Sequence, residues 1–241
     1  MKLYCFSYAG GSAMVYSKWK EMINKSIEIV PVELPGRGNR FSEELCDNME
    51  DLIDDIYIKL EKQFIEEEYM LYGHSMGSWI VYYLTKRIEE KGIRLPKRLF
   101  LSGKEAPHIT KNDIVHYKLN NKEFIEKIYD LGGTSRELLE NKEILEIYIP
   151  ILKNDYKVIE TCKYKAHEKA FNFDITIFNG TKDTLTEEDI NAWSKYTSKN
   201  FNTYNFDGGH FFIHDYAKQM LDIIYDQTKK YNKEQCLVMT N

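Results

Sequence analysis

Apolar residues along this chain gather in six short runs: Lys2 to Tyr8, Ile27 to Glu33, Tyr69 to Gly73, Arg98 to Gly103, Asp174 to Asn179 and Phe201 to Phe206. Runs this short and continuous suit strands buried on both faces of a parallel sheet. Between them the period changes. Glu50 to Phe64 places Leu52, Ile53, Ile56, Leu60 and Phe64 on one helical stripe, and Met76 to Lys91 repeats the spacing with Ile80, Tyr83, Leu84 and Ile88 until Gly92 stops it. Strands alternating with helices predict an α/β fold, a mainly parallel sheet covered on both faces.

One stretch breaks the alternation. From about Lys104 to Ala170 the periodicity is helical, with helices expected at Asn121 to Leu131, closed by Gly132-Gly133, and at Ser135 to Lys153. A helical excursion between two sheet strands caps the carboxyl edge, where open α/β sheets bind ligands, so this segment reads as a lid within a single domain. Its apolar residues Phe124, Ile128, Leu139, Ile144, Leu145 and Ile149 either line an acyl chamber or seal the lid to the core. The tail beyond Tyr231 is expected to fray.

Composition narrows the function. At 241 residues, 43% hydrophobic and 29% charged, the chain is globular, and its net charge of -5 with interspersed signs offers no basic stripe for DNA or RNA. Cys5, Cys46, Cys162 and Cys236 lie far apart with no C-x-x-C pair, so they suggest reduced thiols, not a metal site or a disulfide framework. Neither a signal-peptide pattern nor an apolar run of about 20 residues is present. A cytoplasmic protein without metal, cofactor or membrane attachment is the expectation, and a monomer.

Gly73-His74-Ser75-Met76-Gly77 fits G-x-S-x-G, with a strand running into it and an amphipathic helix leaving it. That context exposes a serine hydroxyl at the apex of a sharp turn. Such a hydroxyl attacks only when a base removes its proton, so a histidine oriented by a carboxylate must follow. His210, in Asp207-Gly208-Gly209-His210 after the last strand, is better placed than His214, which falls in a helix-like stretch from Phe211 to Tyr225. Asp183, just past the Asp174 strand, is favoured as the acid over Asp189, read as a surface helix residue, and Asp207, read as a turn former. The oxyanion needs two amide donors. Met76 N–H is one, and Ala9, in the glycine-rich loop Ala9-Gly10-Gly11-Ser12 after the first strand, supplies the other.

These motifs, with L-P-G-R-G at Leu34 to Gly38 and G-x-x-D ending at Asp183, resemble the type II thioesterases that serve nonribosomal peptide and polyketide synthetases. The resemblance runs nearly end to end. It implies an α/β-hydrolase fold lacking its first two strands, and a Ser75, Asp183, His210 triad. It also implies hydrolysis, in trans, of acyl or aminoacyl thioesters from the phosphopantetheine arm of carrier proteins. Ser7 departs from the pattern, standing where the family often has proline. A general carboxylesterase, lipase or acyltransferase with the same triad is the alternative, since the fold does not choose the substrate.

Overall fold

The structure, a computed structural model, describes residues 1–109, 115–130, 141–165 and 169–239. Strands β1 (Lys2–Phe6), β2 (Glu28–Pro31), β3 (Tyr69–His74), β4 (Arg98–Ser102), β5 (Asp174–Gly180) and β6 (Phe201–Phe206) form one parallel sheet in the order β2-β1-β3-β4-β5-β6. Each apolar run of the sequence supplies one strand, its ends moved by two residues at most. The first run is shortened because Ser7 and Tyr8 turn out of the sheet. This is the sheet of an α/β-hydrolase without its two leading strands.

Side chains alternate across the strands, as a two-residue period requires. Tyr4, Phe6, Leu71, Leu99, Leu101, Ile175 and Ile177 pack under helices α2 (Met49–Glu66) and α3 (Met76–Glu90). Leu3, Cys5, Met70, Tyr72, Phe100 and Phe178 pack on the opposite face, with α1 (Trp19–Met22) and α7 (Ala217–Met239). Helix α7 continues past Tyr231 through Met239. Cys5, Cys46 and Cys162 are free thiols, while the side chain of Cys236 lies outside the described residues.

The chain leaves β1 toward β2 on one side and returns past β1 to β3 on the other, so the loops following β1 and β3 diverge. Open parallel sheets bind ligands at this reversal, beyond the carboxyl ends of the strands.

Between β4 and β5 lie α4 (Asn121–Asp130) and α5 (Lys142–Glu160). Helix α5 is capped by Asn141, whose side chain accepts the Ile144 amide at 3.1 Å, and it carries Pro150 without ending. It therefore runs past the expected stop at Lys153. The expected start from Ser135, the Gly132-Gly133 stop, Leu131 and Leu139 lie outside the described residues. Phe124 and Ile128 of α4 are buried against Leu152 of α5, together with Ala9, Leu119, Tyr148 and Tyr156. Ile149 is also buried, Leu145 half-buried and Ile144 exposed.

The turn from β3 into α3 packs backbone closely against backbone. A Cβ on Gly73 would stand 2.1 Å from the Gly77 carbonyl oxygen, and one on Gly77 would stand 2.2 Å from that of Phe6 in β1. Both obstacles are backbone and neither can swing aside. Gly77→Ala is therefore expected to destabilise the fold by on the order of 3 kcal/mol, lowering Tm by roughly 6–12 °C. Calorimetry of parent and variant decides it: an unchanged Tm would show that the α3–β1 approach is looser than described.

Candidate active site

Ser75 is the one non-glycine residue with positive φ among the described residues, at φ 54°, ψ -117°. Backbone in such a sparsely populated region persists only when its surroundings over-determine it. The Ser75 amide donates to the Ser102 carbonyl of β4 at 2.7 Å, and the Ser75 carbonyl accepts the Ser78 amide at 2.9 Å. The buried Ser78 hydroxyl accepts the Ser102 amide at 2.9 Å. Its single proton serves the Gly73 and Ser102 carbonyls, each 2.9 Å away. Ser78 thus ties both ends of the turn to the neighbouring strand. Sequence reasoning missed it, although a small polar residue directly after G-x-S-x-G was the available signal.

Ser75, His210 and Asp183 come together from three separate loops. Ser75 Oγ lies 3.0 Å from His210 Nε2, and His210 Nδ1 lies 2.8 Å from Asp183 Oδ2. A carboxylate only accepts, so Nδ1 carries the imidazole proton and Nε2 is left with a lone pair toward the serine. Asp183 is almost wholly buried, and its other oxygen accepts the Thr184 amide at 2.7 Å. The loop carrying it is fastened to the loop carrying His210: Thr181 N–H donates to the Phe206 carbonyl at 2.8 Å and Lys182 N–H to that of Gly208 at 2.9 Å. The histidine and its carboxylate are therefore held in one register.

The competing residues have other employment. His214 sits in consecutive turns before α7, not in a helix as expected, and its Nε2 lies 3.3 Å from the Tyr8 hydroxyl. Asp189 is buried, contrary to the surface reading. It forms a capping box with Thr186 that closes the amino end of α6 (Glu187–Asn191), with Thr186 N–H to its carboxylate at 2.8 Å. Asp207 is exposed and pairs with Lys182 at 2.8 Å, which holds its carboxyl below the usual range.

Met76 opens α3, where the first amides have no partner within the helix. Ala9 lies in a turn closed by Gly11 N–H to the Tyr8 carbonyl at 2.9 Å, with Gly10 at φ +75°. A positive φ at the third position marks a type II turn. Two residues that the sequence did not single out touch this turn. Arg37, within L-P-G-R-G, reaches Asp155 of α5 through two bonds of 2.6 and 2.7 Å, with side chains 6% and 2% exposed. Asp155 Oδ2 also accepts the Gly10 amide at 2.7 Å, and Arg37 Nη1 donates to the Gly11 carbonyl at 3.3 Å. Ser12 caps the following 3-10 turn, accepting the Met14 amide at 3.3 Å. The buried Ser7 hydroxyl makes no hydrogen bond among the described residues.

Behind this array His74 is fully buried, its Nδ1 2.9 Å from the Ser102 hydroxyl and its ring 5.1 Å from that of His210. Burial first, then the nearby His210, push its pKa well below 6.5, so it is neutral in the folded chain. The unfolded chain takes up that proton as pH falls through about 6.5 and the folded chain does not, so stability present above 6.5 is lost below it. The expected slope from this one group is about 1.4 kcal/mol per pH unit. Denaturant unfolding between pH 7 and 5 should show His74→Gln with a flatter slope than the parent. Equal slopes would mean that His74 is protonated in the fold.

Comparison with known proteins identifies the family. The family model described as "Thioesterase domain" matches residues 1–228. The gramicidin S biosynthesis protein GrsT of Aneurinibacillus migulanus is 30% identical over 95% of this chain and 89% of its own length. The medium-chain S-acyl fatty acid synthase thioesterase of Rattus norvegicus is 33% identical, over 88% of this chain and 81% of that one. Among solved structures, ClbQ from the colibactin NRPS/PKS pathway superposes with a TM-score of 0.91 at 32% identity, covering 95% of this chain and 97% of its own. A match this extensive, on a fold that supplies a serine, a histidine and a carboxylate in hydrogen-bonded series, places the chain in the thioesterase family, as a hydrolase of thioesters.

Proposed function

We propose that this chain is a type II thioesterase that hydrolyses short acyl and aminoacyl thioesters on the phosphopantetheine arm of carrier proteins, in trans, clearing misprimed nonribosomal peptide or polyketide synthetases. The observation that carries the reading is the hydrogen-bonded series Ser75, His210, Asp183 within a thioesterase match over residues 1–228. GrsT and ClbQ, matched along most of their lengths, are described by their association with peptide or polyketide biosynthesis.

In this mechanism His210 Nε2 takes the Ser75 proton as Oγ attacks the thioester carbonyl carbon, and Asp183 steadies the imidazolium that forms. The tetrahedral oxyanion is met by the amides of Met76 and Ala9. The C–S bond then breaks, the thiolate takes the proton from His210, and the acyl group stays on Ser75. Water, deprotonated by His210, attacks that ester; the Ser75 oxygen leaves with the returned proton and the free acid departs. No step calls for a metal or cofactor beyond the phosphopantetheine that the substrate brings.

The stretch from 104 to 170 acts as the lid of a single hydrolase domain. Helix α5 reaches the loop after β1 through Asp155 and Gly10, which supports its place over the carboxyl edge. Phe124, Ile128 and Leu152 already fill the space between α4 and α5, which favours short acyl groups. A second reading, release of medium-chain fatty acyl groups, draws on the 33% identity to the rat fatty acid synthase thioesterase. Turnover of acetyl, aminoacyl and dodecanoyl groups on one carrier protein and on CoA separates them. Broad, short-chain preference with a gain from the carrier supports the editing reading; strong dodecanoyl preference with no such gain supports the other.

Ser75→Ala is expected to abolish hydrolysis with the fold intact, a loss of several powers of ten. Asp183→Asn should lower kcat by about 10⁴-fold, through the wrong imidazole tautomer, while Asp189→Asn and Asp207→Asn leave kcat near the parent value. His210→Ala should be far worse than His214→Ala. Single-turnover acylation assays check each, and an active Ser75→Ala or a reversed ranking would overturn the assignments.

A further inference from the structure

The amide of Ala9 belongs to the peptide unit that also holds the Tyr8 carbonyl. That carbonyl is drawn inward by Gly11 N–H at 2.9 Å, and in a trans peptide the N–H points the opposite way. The Ala9 amide is therefore turned out of the turn. How far it points toward the elbow depends on the next peptide unit, since rotating that unit changes ψ of Ala9 and unwinds the turn. The next amide, Gly10 N–H, donates to the carboxylate of Asp155, at 2.7 Å.

That partner comes from the insertion, not from the sheet. Asp155 lies on α5 and is held on both oxygens by Arg37, whose Nη1 also reaches the Gly11 carbonyl. A Cβ on Gly10 would stand 2.7 Å from the Tyr148 hydroxyl and 2.8 Å from Leu152 Cδ1, so the same helix presses on the turn from its own side. The turn is gripped on an amide and a carbonyl by two charged groups that are almost wholly buried. Two such charges are expensive to desolvate, and a buried pair of this kind often adds little to stability. The strand sequence beneath does not need it: β1 is fastened to β2 and β3 by its own ladder.

We propose that Asp155, locked by Arg37, is the positioning residue of the oxyanion hole: it orients the loop that presents the Ala9 amide, making the hole complete only while α5 is seated on that loop. The inference rests on the reading of Ser75 as nucleophile and Ala9 as oxyanion donor. It makes the insertion a participant in the chemistry as well as a cover over it. An acyl group or carrier that shifts α5 would loosen the hole at the same moment, so seating of the insertion and competence for attack are one event.

The test pairs rate with an oxyanion probe. A short acyl trifluoromethyl ketone adds to Ser75 and places its own oxyanion in the hole, while KM for a short acyl-CoA follows ground-state binding. Loss of a whole oxyanion donor costs about 10²–10³ in kcat, so a misaimed one in Asp155→Asn should lose roughly 10- to 100-fold. KM should stay within about twofold, and affinity for the ketone should weaken by the same factor as kcat. Because Asp155→Asn strands the Arg37 charge and can fail to fold, the double variant Arg37→Met/Asp155→Leu is the companion. It removes both charges and the acceptor of Gly10 N–H, and should be stably folded yet share the loss in kcat and in ketone affinity. A folded double variant with parental kcat, or a kcat loss with unchanged ketone affinity, overturns the proposal. Ser75→Ala run alongside separates the two levels: if it keeps activity, the reading of the site itself has failed; if it is dead while the double variant is fully active, only the role of Asp155 has.

Discussion

Everything in the site depends on a serine backbone that no serine adopts willingly. Holding Ser75 at φ 54° costs on the order of 1–3 kcal/mol, and the surrounding fold is arranged to meet it. β3 must end against β4 so that the Ser102 carbonyl can receive the Ser75 amide. α3 must begin within contact of β1, which only glycine at 73 and 77 allows. Ser78 must be small enough to bury and polar enough to join the Gly73 and Ser102 backbone. Remove any of these and the serine relaxes, taking its hydroxyl off the imidazole.

The parallel sheet then turns this local strain into a site. Because all six strands run the same way, their following loops gather on one edge, and Asp183 and His210 follow the neighbouring strands β5 and β6. Their loops are cross-bonded before either reaches the serine. The imidazole is thus aimed by backbone hydrogen bonds as well as by its carboxylate. His74 adds a neutral ring behind it; a charged group there would oppose the imidazolium that forms during attack.

What was legible in the sequence was what repeats or what punctuates. The six strands announced themselves as continuous apolar runs, and G-x-S-x-G, G-x-x-D and D-G-G-H each sit at the end of a strand, where position alone tells which carboxylate and which histidine face the edge. The residues that escaped have roles decided by distant partners. Asp155 reads as one more polar position on an amphipathic helix, and nothing near it in sequence points to Arg37, far upstream. Ser78 looks like a helix residue until β4 is laid beside it. Asp189 was misjudged because a capping box can bury a carboxylate that helical periodicity alone assigns to the surface. His214 was read into a helix because its apolar neighbours mimic one, whereas Phe212 and Ile213 are buried as part of a tight turn.

The insertion joins these two scales. The helical excursion between β4 and β5 is seated on the core of the sheet through Val158 and Ile159, while its outer surface, with Ile144 and Ile147 exposed, is under little constraint from that core. Asn154 Nδ2 donates to the Cys46 carbonyl at 2.8 Å and Lys157 pairs with Asp47 at 2.6 Å, while Asp155 reaches the turn after β1 through the Gly10 amide. Phe124, Ile128 and Leu152 pack beside Asp155 with Ala9 among them, so apolar packing and the buried charge pair together hold α5 against the turn. The pair without packing would leave two charges exposed to water and weak. Their coincidence on one short loop ties the insertion to the edge where Ser75, His210 and Asp183 meet.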